Sequence, residues 1–220
     1  MHKIRKQYSL HFSDKKFIAS FIVSILMLVI ALFINFYAGV YATERASNSI
    51  TDIILSNTRV FDVDGIFVYG AFFLWIFIIG VTVARPKQIP FTIKTLSLFI
   101  VIRSIFISLT HLGPFPTQVL LSDTNIINTF MNKFSFGADL FFSGHTGIPF
   151  LMALIFRDNP YLRVIFVASS ILFAVVVLLG HLHYSIDVFS AFFITYTIFH
   201  LATIFFKKDL KLFNEGVVKS

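Results

Sequence analysis

A chain of 220 residues that is 57% hydrophobic, only 13% charged and carries 30 phenylalanines falls among membrane proteins and outside the range of soluble domains. Its formal net charge of +7 is surface charge suited to anionic lipid head groups, and nothing in it points to nucleic acid. With no cysteine, disulfides and thiolate metal sites are excluded.

The elements can be read from uncharged runs. Roughly 17–25 apolar residues cross a hydrocarbon core as a helix, and backbone groups in lipid must be bonded internally. Lys3, Arg5, Lys6, Lys15 and Lys16 precede a first span, Phe17–Val40, with no small-residue cleavage site behind it. That pattern reads as a retained span and not as a signal peptide. The segment Thr43–Asp64 is acidic on balance, places Ile50, Ile53 and Ile54 at helical spacing, and is expected to lie along the interface or form a lid. Spans two and three cover Gly65–Ala84 and Phe91–Leu112, the latter interrupted by Lys94 and Arg103. A segment from Gly113 to Phe136 opens with Pro114 and Pro116 and is expected to cover the outer ends. Spans four, five and six cover Leu140–Phe156, Val164–Gly180 and Val188–Phe206. The expected fold is all-α, a polytopic six-transmembrane-helix bundle that fills 1–220 as a single membrane domain.

Orientation follows from lysine and arginine. Besides the N-terminal group, Arg85, Lys87 and Lys94 flank the second connection, Arg157 and Arg163 the fourth, and Lys207, Lys208, Lys211 and Lys219 follow the last span. Only Arg45, Arg59 and Lys133 lie in the alternate loops. The positive-inside rule therefore puts both termini in the cytoplasm.

On this map His111, His145, His181, His183 and Asp187 all converge on the extracytoplasmic side. Titratable groups beside a bilayer are costly and mark a functional site by default. Asp187 lies four residues after His183, so a helix puts both on one face. A carboxylate there fixes the imidazole tautomer and leaves the other ring nitrogen as nucleophile or base. His145 stands in Ser143-Gly144-His145-Thr146 at the start of a span. Free N–H groups at such a helix start seat an anion, and Gly144 removes side-chain bulk. Arg103 calls for an anionic partner, either Asp139 or a phosphate held bidentately. Together these groups suit phosphoryl transfer through a phosphohistidine, with one histidine attacking, the other protonating the departing alkoxide, and cations holding the oxygens. Taken singly, each has a plainer reading. His111 and His200 read as interface or capping residues, His181 as packing or hydrogen bonding, Arg103 as an ion-pair partner, and Asp139 as a cap of span four.

The two motifs resemble the lipid phosphatase/phosphotransferase superfamily, the type-2 phosphatidic acid phosphatases, and within it the sphingomyelin synthases. Those enzymes carry an Asp followed by L-F-S-G-H-T and later H-x-H-Y-T-x-D-V. Asp139 with residues 141–146 (FFSGHT) and His181 through Val188 answer to them. Arg103, Thr110 and the GPFP stretch at 113–116 answer to the family's third span and its outer loop. The similarity covers roughly Phe91–Phe206, giving a catalytic core of about 91–206. Ser185 replaces the usual threonine and Ala138 a common glycine. The phosphatase branch has a lysine seven residues before Arg-Pro, where this chain has Ile78 before Arg85-Pro86. It also has Ser-Arg ahead of its second histidine, where Val176 and Val177 stand. Both absences favour the synthase-like branch.

The resemblance implies His183 as nucleophile oriented by Asp187, and His145 as general acid and then base. Arg103, Ser143, Gly144, Asp139 and His181 would hold the phosphate or substrate. No cofactor or metal is implied. The partners are membrane lipids, a phospholipid donor and a lipid alcohol such as ceramide or diacylglycerol, or water, as acceptor; homo-oligomerisation is left open. A multi-pass protein of a bacterial inner membrane with its site facing outward fits the short chain. The competing readings are a hydrolase on the same fold, a zinc-dependent hydrolase with His145, His181, His183 and Asp187 as ligands, and a catalytically silent lipid-binding protein.

Overall fold

Asp14 separates two helices at the start of the chain. Its carboxylate accepts the Phe17 N–H at 2.7 Å and so begins a long helix where a short one has just ended. The computed structural model describes residues 2–119 and 140–217. Among these the regular structure is entirely helical: α1 (His2–His11), α2 (Lys15–Glu44), α3 (Asp64–Val83), α4 (Ile89–Leu109), α5 (Gly144–Ile155), α6 (Pro160–Leu179), α7 (Ser185–Phe205) and α8 (Lys207–Glu215), with short 3-10 turns at Leu55–Asn57 and Pro86–Gln88.

Among the described residues five helical stretches are long and apolar enough to cross a membrane: α2, α3, Pro86–Leu109 containing α4, α6 and α7. The run read as a fourth span, Leu140–Phe156, supplies only the 12 helical residues of α5. At 1.5 Å per residue that is about 18 Å of helix, short of a hydrocarbon core of about 30 Å. The reason lies at its start. The Phe142 carbonyl accepts a bond from Arg103 Nε at 3.1 Å, and the Ser143 N–H donates to the Asp187 carbonyl at 3.1 Å. Both backbone groups that a longer helix would need are engaged with α4 and α7.

Small residues bring the first pair of helices together. Ser24, Ala31 and Ala38 are buried on α2 at intervals of one heptad, followed by Ala42, and α4 packs along this helix. Such a seam lets two backbones approach closely where lipid offers no hydrophobic drive. The main core lies among α4, α5, α6 and α7, where Phe99, Phe142, Leu151, Met152 and Phe166 are fully or almost fully buried.

α2 and α4 run parallel, since Ser20 near the start of one meets Lys94 near the start of the other, and the bundle has two distinct ends. α4 begins at the end where Lys94 pairs with Asp209 of α8 at 2.8 Å, with Ser20 of α2 bonded to both partners. Here α8 folds back, and its Phe213 ring meets Phe91 and Phe156. α4 finishes at the other end, where α5 and α7 begin. That second end carries the two histidine motifs.

Candidate active site

The first turn of α7 is built around Asp187, whose side chain is 0% exposed. Its Oδ2 accepts the Tyr184 N–H at 3.0 Å and lies 3.3 Å from His183 Nδ1. A carboxylate at a helix start satisfies N–H groups that have no intrahelical acceptor, and here the same oxygen also orients an imidazole. With Nδ1–H directed at Asp187, the lone pair of His183 sits on Nε2.

The second motif reaches this pair through the backbone. Ser143 caps α5, its hydroxyl accepting the Thr146 N–H at 3.4 Å, while its own N–H holds the Asp187 carbonyl. Two residues on, the His145 ring lies 4.2 Å from the Phe67 ring of α3 and 5.9 Å from Phe173 of α6. These contacts fix the imidazole plane. Arg103 projects from α4 onto the same start of α5. A Cβ on Gly144 would lie 3.4 Å from its Nε, so the bare Cα leaves the guanidinium face uncrowded. Arg103 Nε bonds the Phe142 carbonyl and the Ser143 N–H bonds the Asp187 carbonyl, so the starts of α5 and α7 and the later part of α4 are tied into one site.

His181 stands one step outside it. Its Nδ1 is 2.6 Å from Thr117 Oγ1, and Phe115 meets its ring edge-on at 5.3 Å. Its Nε2 is buried with no hydrogen-bond partner among the described residues. His181 also has a φ of +53°, and Phe142 a φ of +31°. Left-handed backbone at a bulky residue costs of order 1–3 kcal/mol and persists where the surroundings dictate it; each of these residues adjoins one motif. Asp139 lies outside the described residues, as do Ala138 and the part of the outer segment beyond Val119. His111 is in the rim, its ring 5.4 Å from Tyr41, and His200 stacks on Tyr196 far along α7.

Sequence reasoning missed the parts supplied by the outer connection between α2 and α3. Asp52 is buried, 7% exposed, and its Oδ2 accepts the Ser185 N–H at 2.7 Å. Its Oδ1 accepts Ile54 and Leu55 N–H at 2.9 and 3.0 Å. Burial alone would raise this carboxyl, but the backbone N–H donors of Leu55, Ser185 and Ile54 outweigh it and hold the group below the usual carboxylate range. Tyr184 takes the Ile50 N–H on its hydroxyl at 3.2 Å and donates to the Gly113 carbonyl at 2.8 Å. Burial pushes this phenol up, so it stays a donor at neutral pH. Gly113 is needed where it stands, because a Cβ would run into the Ser47 carbonyl. The acidic segment was legible as a candidate lid, but no spacing rule singled out Asp52 within it.

No group of three or more His, Cys, Asp or Glu among the described residues is arranged to hold a metal ion. The four zinc ligands considered above, all described, do not come together as such a set.

A family model described as PAP2 superfamily C-terminal matches residues 137–204. That match supports membership of the PAP2 superfamily. It spans both histidine motifs. Together with the five long apolar helices it marks an integral membrane protein. No curated protein and no solved structure matches the chain.

Proposed function

We propose that this protein is an integral-membrane lipid phosphotransferase of the sphingomyelin-synthase-like type. The observation that carries the reading is His183 held by Asp187 at 3.3 Å, with the start of α5 that bears His145 tied to Asp187 through the Ser143 N–H and to Arg103 through the Phe142 carbonyl. His183 Nε2 attacks the phosphorus of a glycerophospholipid. A P–N bond forms as the P–O bond to the glycerol breaks, and His145 gives its proton to the departing alkoxide, releasing diacylglycerol. His145, now neutral, takes the proton of an acceptor hydroxyl. The acceptor oxygen attacks phosphorus, the P–N bond breaks, and His183 is restored. Asp187 stabilises the imidazolium character that His183 gains, and Arg103 carries the phosphoryl oxygens. Gly144 at the start of α5 offers its N–H to the same oxygens, and Ser143, Asp139 and His181 complete the substrate contacts.

The proposed topology has six membrane-associated segments, α5 being the shortest, with both termini cytoplasmic and the site on the outer face. Lys87 and Lys94 lie at the end of the bundle opposite the histidines, and Lys207, Lys208 and Lys211 belong to α8 at that same end, the distribution the positive-inside rule expects. A bacterial inner membrane is the setting we favour.

Turnover of fluorescent phospholipids in mixed micelles, with and without ceramide or diacylglycerol, tests this beside His183→Ala and His145→Ala. A new phosphoester of the lipid alcohol that both substitutions abolish is the expected result. Release of head group or phosphate to water alone would reassign the site as a hydrolase, and activity untouched by the substitutions would overturn the mechanism.

A further inference from the structure

Asp52 lies in a connection 133 residues distant in sequence from the helix it serves and outside the segment that the family model matches. A helix start presents N–H groups with no partner inside the helix. In α7 the Asp187 and Val188 N–H groups turn back to the Tyr184 carbonyl at 3.0 and 3.3 Å. Two carboxylates serve the N–H groups ahead of these. Asp187 Oδ2 takes Tyr184 N–H, and Asp52 Oδ2 takes Ser185 N–H at 2.7 Å. Asp187 Oδ2 also faces His183 Nδ1. Without Asp52, the Ser185 N–H would have no carboxylate except the one that orients the imidazole.

We propose that Asp52 is a positioning residue for the His183–Asp187 pair, clamping the first turn of α7 from the outer segment so that Asp187 stays on His183. Only the catalytic consequence rests on the function proposed above; the clamp itself does not. Asp52 is fit for this because it is itself fixed. Its second oxygen is tied to Ile54 and Leu55 N–H, and Leu55 packs with Leu140 and Tyr184. A negative charge at this end of α7 also agrees with the helix dipole. The same segment is fastened at a second point, where Ile50 N–H meets the Tyr184 hydroxyl. The segment is thus a strut whose tip is a carboxylate on the turn that carries Asp187.

The test uses the full-length protein in detergent, with Asp52→Ala, the milder Asp52→Asn, and Ile53→Ala as a control on the exposed neighbour. Amide hydrogen exchange followed by mass spectrometry reads the clamp directly. Peptides covering 181–190 should exchange roughly tenfold faster or more in Asp52→Ala, the loss expected for a hydrogen bond to a charged acceptor. Asp52→Asn, which keeps one acceptor oxygen, should fall between, and Ile53→Ala should match the parent. In the lipid assay kcat should fall roughly 10- to 100-fold with KM little changed, the signature of a displaced reacting group. Thermal unfolding of each variant establishes that it is folded. Unchanged exchange in Asp52→Ala overturns the clamp, and faster exchange with undiminished kcat overturns its role in positioning. A parent protein with no turnover on any lipid would remove the functional reading instead, and the exchange data would still decide the clamp.

Discussion

Two buried carboxylates sit at opposite ends of this bundle and are treated in opposite ways. Asp209 is saturated: Oδ2 receives Lys94 Nζ at 2.8 Å, Oδ1 receives the Ser20 hydroxyl, and Lys94 also reaches Ser20 at 2.9 Å. The charges cancel inside a closed triangle that joins α2, α4 and α8. Asp187 is more deeply buried yet left open. One oxygen is shared between Tyr184 N–H and His183, while Oδ1 has no partner among the described residues. A buried polar atom left unmatched costs about 1–3 kcal/mol. The end that carries Asp187 also carries both positive-φ non-glycine residues found among the described residues, Phe142 and His181. A closed pair is what a fold needs to hold a helix in place. An open carboxylate with a histidine on its edge, held under local strain, is what chemistry needs.

Substitutions should therefore separate activity from stability according to which end they touch. The largest effect is expected for Asp187→Asn, which keeps the shape and removes the charge. Transfer should fall by about 10²–10⁴-fold in kcat, because the imidazolium and its tautomer lose their partner. The thermal transition should move little, since Tyr184 N–H keeps an acceptor. Steady-state kinetics beside a melting curve checks both halves, and parent-like kcat would erase the distinction drawn between the two carboxylates.

Lys94→Ala should do the reverse. It strands Asp209 without its cation, and breaking a buried pair in this way costs about 3–5 kcal/mol. A lower unfolding temperature in detergent is expected, with unchanged kcat for the protein that remains folded. Replacing the pair by apolar residues, Lys94→Met with Asp209→Leu, should recover most of the loss. Reduced kcat at unaltered stability would mean that this end, too, serves the reaction.

The sequence exposed these ends unequally. Long apolar runs made α2, α3, α4, α6 and α7 readable from composition, because lipid imposes helices on such runs. The H-x-x-x-D spacing implies two residues on one helical face. His183 instead lies ahead of α7 and Tyr184 between them is extended, so Asp187 reaches His183 from the first turn of the helix through the capping arrangement there. The run Leu140–Phe156 was equally apolar but yields a shorter helix. Hydropathy cannot register that the Phe142 carbonyl is bonded to Arg103 and the Ser143 N–H to Asp187. The partnership of Lys94 with Asp209 was invisible for the same kind of reason: it joins residues from helices whose contact is decided by packing. Asp52 was one acidic residue among several in a loop, and only the fold brings it to Ser185 N–H.

The smallest expected effect discriminates within the histidine end itself. Tyr184→Phe keeps the ring in its cluster with Leu55 and Leu140 but removes the hydroxyl that bridges Ile50 N–H and the Gly113 carbonyl. Losing a neutral hydrogen bond of this kind costs about 1 kcal/mol, which chemical or thermal unfolding of the folded protein can resolve. The Ser185 N–H still has Asp52, and Asp187 still has His183, so kcat should stay close to that of the parent. If it does, while Asp52→Ala lowers kcat, the outer segment acts through one carboxylate at the tip. If Tyr184→Phe lowers kcat as far as Asp52→Ala does, the segment acts as a single plate over the site, and closing that plate matters more than the charge of any residue within it.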